Sequence, residues 1–234
     1  DAGNLHRAKQ AGVFASINSA ELNSVVPSNL RDPDGQWVGL SKRARIIFYA
    51  KDRVKPSELS TYEDLASDKW NKRICIRGSS NIYNQSLVAS MIDANGKQAA
   101  QDWTSKLVKN MARPPKGGDR DQIKAAAAGQ CDLAIANTYY YGTMLSDSKD
   151  AAQLKAAQAM GVFWPNQNGR GSHVNISGAG VTKHAKNPEN ALKLLEFLVN
   201  PESQKWYAEV NYEYPVIANA EMSELVKSWG TFNS

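Results

Sequence analysis

The chain is 234 residues long, 42% hydrophobic and 22% charged, enough apolar content to build a sizeable core. No stretch approaches the roughly 18–20 uncharged apolar residues of a membrane-spanning helix, so an integral membrane protein is excluded. The formal charge of +5, from 28 Lys and Arg against 23 Asp and Glu, is scattered along the chain. It comes with no nucleic-acid reading motif, so nucleic acid is not an expected partner.

The chain opens Asp1-Ala2-Gly3-Asn4-Leu5, without initiator Met, basic n-region or apolar h-region, and reads as one that begins inside a domain. The β-branched and aromatic run at 45–50 predicts a strand. A turn at 51–55 follows, and Pro56 then opens a helix with Leu59, Tyr62 and Leu65 on one face. Residues 73–77 predict a second short strand, followed by the turn Gly78-Ser79-Ser80-Asn81 and a helix spaced through Leu87, Met91 and Ile92. Helical spacing recurs over 97–111, through Trp103, Leu107 and Met111, and stops at Pro114-Pro115. Asp119 and Asp121 sit in the first turn of another helix that ends at Gly129. A buried strand at 131–137, a helix at 150–160 and a strand at 162–165 complete an alternation that predicts parallel sheets flanked by helices. Extended segments at 43–50 and 173–182 flank the block 51–170, and helices follow at 187–199, 201–210 and 221–229. That order fits a discontinuous two-lobe protein with two crossing strands as hinge.

The ligand chemistry is bounded by scarcity. Cys75 and Cys131 have no C-x-x-C spacing and no neighbouring His, which excludes a zinc finger; they are either free thiols or one disulfide. His6, His173 and His184 have no ligand spacing. No nucleophile–base set accompanies Gly78-Ser79-Ser80, and Asp119 and Asp121 are two apart, so catalysis is not expected. Tyrosines, by contrast, concentrate at element ends. Tyr83 follows the Ser79-Ser80-Asn81 turn, and Tyr139-Tyr140-Tyr141 follow the strand before them. Carboxyl ends of parallel strands face the ligand crevice of an α/β sheet. Such a cluster packs on apolar surface with its hydroxyls at the rim, or forms a platform for a sugar or aromatic ligand, or binds ferric iron. A phenol is a poor ligand at neutral pH unless a strong Lewis acid displaces its proton, which hard trivalent iron does.

The blocks Ser79-Ser80-Asn81-Ile82-Tyr83-Asn84-Gln85-Ser86, Gly117-Gly118-Asp119-Arg120-Asp121-Gln122-Ile123 and Asn137-Thr138-Tyr139-Tyr140 resemble the signatures of periplasmic ferric-iron-binding proteins. These are the substrate-binding subunits of iron ABC transporters, and the resemblance is to their cyanobacterial all-tyrosine branch. Asp1 to Arg7, Gly39 to Arg45 and Asn200-Pro201-Glu202-Ser203-Gln204 resemble the same branch.

The resemblance implies an α/β, two-lobe, type II (cluster D-like) periplasmic binding protein with hinge strands. The first lobe would hold 1–45 and 172–234, incomplete because its N-terminal part is absent, and the second lobe 46–171. It implies Tyr83, Tyr139 and Tyr140 as phenolate ligands of Fe(3+) in an interlobe cleft, with Tyr141 packing just past the pair. A further Tyr or His ligand would come from a stretch this chain does not contain, and a synergistic anion or water would complete the shell. Arg43 either balances charge or holds an anion in the cleft, or is a solvated strand end. Asp119 and Arg120 mark a helix start at the cleft or serve only as its cap. Thr143 stands where some relatives carry a basic residue. A disulfide between Cys75 and Cys131 is implied by neighbouring strands and a periplasmic address. The expected partners are ferric iron and an ABC permease, and the expected state is a monomer. A binding protein for another small ligand, such as phosphate or an organic anion, would share the fold without needing phenolates.

Overall fold

The structure is a computed structural model that describes residues 1–146, 149–218 and 220–234. The helices and strands, in chain order, are α1 (Ala2–Gln10), α2 (Ala20–Val25), β1 (Val38–Ala50), β2 (Ile74–Cys75), α3 (Ile82–Asn95), α4 (Lys97–Asn110), α5 (Asp119–Ala127), β3 (Leu133–Asn137), α6 (Thr138–Ser146), α7 (Ala151–Gln158), β4 (Met160–Phe163), β5 (Val174–Ala179), α8 (Pro188–Leu198), α9 (Pro201–Trp206) and α10 (Glu224–Lys227). They divide into two compact units, Asp1–Arg43 with Asn175–Ser228 and Ala44–Val174 with Trp229–Ser234.

The first unit is built on the pairing of β1 with β5. Its core collects Leu22, Val38, Leu40, Leu195, Val199 and Val216. Ser19 caps α2 by accepting from the Leu22 N–H, and Asn200 caps α9 by accepting from Ser203, with Pro201 in the first turn where its missing N–H costs nothing. Gln204 is fully buried but satisfied at both ends, donating to Leu40 O at 2.7 Å and accepting from Val216 N–H at 2.8 Å.

The second unit holds a mixed sheet in the order β2-β3-β1-β4. β1 runs antiparallel to β3, with Arg45 opposite Asn137, and antiparallel to β4; β2 runs parallel to β3. The sheet is therefore not all-parallel, as the alternation predicted. A strand buried on both faces is a continuous apolar run in either pairing, so the run at 45–50 carries no sign of its partner's direction. Alternation along β1 sends Ile46 and Phe48 into one core with Ile123, Ala126 and Met144, and Ile47 into another with Leu87, Met91 and Trp103. Helices α5 to α7 thus cover one face and α3 and α4 the other.

The helix predicted from Pro56 is replaced by separate 3₁₀ turns at Pro56–Glu58 and Glu63–Ala66. Tertiary bonds take the groups a helix would need: Tyr62 N–H donates to Asn166 Oδ1 at 2.9 Å, and Tyr62 O accepts from Trp103 Nε1 at 2.6 Å. The helix expected over 201–210 is α-helical only to Trp206, then widens to a π turn at Tyr207–Asn211 that ends at Tyr212 with φ 55°. Residues 229–234, expected in the first lobe, lie in the second unit. There Phe232 stacks on Trp164 with ring centroids 4.0 Å apart.

Cys75, at the end of β2, and Cys131, just before β3, form a disulfide with Cα atoms 5.9 Å apart. The closed loop contains α3, α4 and α5, so the bond restricts the unfolded chain over that whole block. Loop-closure entropy assigns it about 4 kcal/mol. The Cys75→Ser, Cys131→Ser double variant should lose stability of that order, read as a lower urea midpoint, and the unmodified denatured chain should show no free thiol until reduced.

Candidate metal centre

Two strand ends position the tyrosines, both in the second unit. Parallel neighbours β2 and β3 finish at the same sheet edge, so the helices that follow them start side by side. After β2 the chain turns at Gly78-Ser79-Ser80, and Asn81 caps α3 by accepting from the Tyr83 N–H at 2.9 Å. That places Tyr83 in the first turn. β3 passes directly into α6 at Thr138, which puts Tyr139 and Tyr140 in the first turn of that helix.

The hydroxyls of Tyr83 and Tyr139 are 3.0 Å apart, and the rings of Tyr139 and Tyr140 meet with centroids 4.2 Å apart at 33°. All three side chains are half-buried. Burial, then hydrogen bonding to Tyr140 and Tyr83, pushes the Tyr139 phenol far above its ordinary value, because ionising it would place charge among neighbours that can also ionise. Around the rings stand three guanidiniums. Arg77 and Arg45 lie 5.2 and 5.9 Å from the Tyr83 centroid, and Arg120 lies 5.7 Å from that of Tyr140. The Arg120 Nε–H is buried with no hydrogen-bond partner among the described residues.

Beneath the rings is a buried polar hub. Arg45 is 2% exposed and pairs with Asp119, 0% exposed, at 2.9 Å. It also donates to Asn137 Oδ1 at 2.9 Å and to Asn84 Oδ1 at 2.6 Å. The Asp119 carboxylate further accepts from the Asn137 N–H at 2.7 Å and from Arg77 at 3.3 Å. Asn84 spends its amide N–H groups on Arg77 O and Gly78 O. The starts of α3, α5 and α6 are thereby bonded to one strand residue.

The structure brings Tyr83, Tyr139 and Tyr140 together and turns Tyr141 away. The Tyr141 hydroxyl donates to Met160 O at 3.0 Å, and its ring packs on Phe48 and Trp229. Arg43 belongs to the first unit, where its guanidinium is held by Asp1 at 2.8 Å and Ser177 at 2.9 Å, so it is neither a solvated strand end nor part of the tyrosine cluster's own unit. Asp119 does more than start a helix, since the α5 cap contact, Gly118 N–H to Asp121, does not involve it. Thr143 back-bonds to Tyr139 O at 2.9 Å. Among the described residues no group of three or more His, Cys, Asp or Glu side chains forms a metal site. Sequence reasoning missed Arg45, Arg77, Asn84 and Asn137. The period-2 spacing of Arg43 and Arg45 was the available signal.

The sequence profile of the family described as bacterial extracellular solute-binding protein matches residues 1–234. The chain is 51% identical to iron uptake protein A1 of Synechocystis sp., all of this chain aligning with 65% of that protein. A Trichodesmium protein (IdiA, FutA) solved in complex with iron and citrate ligands superposes with TM-score 0.96 at 53% identity, over 100% of this chain and 74% of that one. A ferric binding protein from Campylobacter jejuni gives TM-score 0.94 at 39% identity, covering 99% and 73%. The chain thus spans about two thirds of the length of the iron uptake protein it matches. Its fold is that of type II binding proteins, as the resemblance implied.

Removing the Asp119 charge leaves Arg45 buried and unpaired. Asp119→Asn should therefore cost about 3–5 kcal/mol of stability. The comparison is urea unfolding of the variant against the parent, and an unchanged midpoint would mean the pair is dispensable.

Proposed function

The chain belongs to the bacterial extracellular solute-binding protein family, and on that premise we propose that it binds ferric iron through Tyr83, Tyr139 and Tyr140. It would do so in the periplasm, as the binding subunit that hands the metal to an ABC permease. The observation that carries this reading is the convergence of the phenols, with the Tyr83 and Tyr139 oxygens at 3.0 Å. Three phenolates supply hard anionic oxygen and offset a trivalent charge, which suits iron(III) and not the softer ions that favour imidazole or thiolate. Arg45, Arg77 and Arg120 stabilise phenolate over phenol once a metal has displaced the protons. A small anion or water would fill the remaining positions. Similarity to proteins named for iron uptake and ferric binding supports the cargo, and the donor set supports the residues.

Each phenol must lose its proton to bind, so protons and iron compete. With the Tyr139 phenol already raised by burial and its neighbours, affinity should fall steadily as pH drops below neutral. Titration with ferric iron should develop a phenolate-to-iron absorption band. Tyr83→Phe, Tyr139→Phe and Tyr140→Phe should each weaken binding by more than the ~10–100-fold typical of losing a ligand's hydrogen-bond partner. Tyr141→Phe should leave the band intact and lose only about 1 kcal/mol of stability with its bond to Met160. Full binding in the first three variants would overturn the ligand assignment, and a parent chain that develops no band on titration with ferric iron would favour a different cargo.

A further inference from the structure

The second unit carries a cavity that the tyrosine cluster does not use. Asp121, Lys124 and Ala125 fall on one side of α5, and Arg113, Lys116 and Gly117 of the preceding loop border with them an open cavity of about 420 Å³. Gly117 is required for the loop's close approach to α5: it has φ +74°, and a Cβ there would stand 2.4 Å from Asp121 Oδ2. The α5 residues that serve the tyrosine cluster, Asp119 and Arg120, do not line this cavity.

Its charged lining is three cations and one carboxylate, and the carboxylate is already committed. Asp121 accepts from Gly118 N–H at 2.8 Å and pairs with Lys124 at 3.0 Å, and these contacts hold its carboxyl below the usual range. Arg113 is held in place by donating to Asp121 O at 3.3 Å and to Gln122 Oε1 at 3.1 Å. Its Nε–H is nonetheless buried with no acceptor among the described residues. Lys116 is exposed beside it, and Gln122 engages the lysine's carbonyl at 2.8 Å, not its amine. The lining keeps two positive charges in excess, and its volume lies within the ordinary range of small-molecule sites.

We infer that this cavity is a second ligand site, taking a compact, multiply charged oxyanion of phosphate or polycarboxylate chemistry, with Arg113 and Lys116 as its charged anchors. The site does not depend on the ferric reading. Calorimetric titration of the iron-free Tyr139→Phe chain with inorganic phosphate, and separately with citrate, tests it without the metal. At least one of the two should bind saturably, and the preferred probe identifies which source the site serves. Lys116→Gln and Arg113→Gln should each weaken that binding about tenfold or more, as expected for loss of a charge-assisted bond, while Lys155→Gln on the exposed face of α7 leaves it unchanged. Among the described residues Lys116 makes no hydrogen bond or ion pair through its amine, so its variant decides the matter should Arg113→Gln fail to fold. Absence of saturable binding by both anions, or binding unaffected by Lys116→Gln, overturns the site.

Discussion

Arg45 sits on β1 opposite Asn137 and has nowhere to put its charge except into the protein. Its guanidinium is enclosed by Asp119, Asn84 and Asn137, which come from the starts of α5 and α3 and the end of β3. A buried ion pair of this type is weak evidence for stability, because desolvation of both ions cancels much of the attraction. What it supplies is placement. Once the guanidinium is dry, each of its acceptors must be present in the right geometry, so three helix starts are tied to a single strand residue. Those helix starts are the ones that carry Tyr83, Arg120, and the Tyr139–Tyr140 pair. A hydrophobic replacement would hold the same elements in contact without fixing where their first turns point.

The disulfide acts on the same part of the fold from the other end. Cys75 precedes the turn that leads to Tyr83, and Cys131 precedes the strand that leads to Tyr139. The covalent link joins the strands below the sheet edge while the Arg45–Asp119 pair joins the helix starts above it. Both restrain the relative position of β2 and β3, one by limiting the unfolded chain and the other by satisfying buried charge. Helix α5 belongs to both systems, since it lies within the loop the disulfide closes and contributes Asp119 to the pair.

Much of this was legible in the sequence where a local rule decides the outcome. Helices α3, α4, α5, α7 and α8 follow from periodicity with capping or breaking residues, and the tyrosines were placed at strand ends by the Gly/Ser turn and the apolar run before them. Where tertiary bonds decide, the sequence is silent. Nothing near Pro56 announces that Tyr62 N–H will go to Asn166, more than a hundred residues on, and that bond is what replaces a helix by 3₁₀ turns. Helix α1 buries only Leu5 and so has little apolar period to detect. Arg43 drew attention over Arg45 because both stand in one basic strand segment. Which of them meets the tyrosine-bearing helices depends on the pairing of β1 with β3, and that is a property of the fold.

On the proposed reading, the charges around the phenols suit a trivalent ion with an anion beside it. Arg45 is neutralised by Asp119, and Arg77 shares the same carboxylate at the longer distance of 3.3 Å. Arg120 faces Tyr140 with no carboxylate paired to it among the described residues. With the phenols protonated, the region therefore carries surplus positive charge. On the proposed reading, three protons leave as one trivalent ion enters, so the exchange itself leaves the net charge unchanged. The surplus persists in the loaded state, and a small anion in the remaining coordination positions would lower it. Discrimination against divalent ions does not come from this count, since two charges in place of three protons would only lower the surplus. It comes from the donors: a phenol gives up its proton at neutral pH only to a strong Lewis acid, and a divalent ion polarises the oxygen less than a trivalent one.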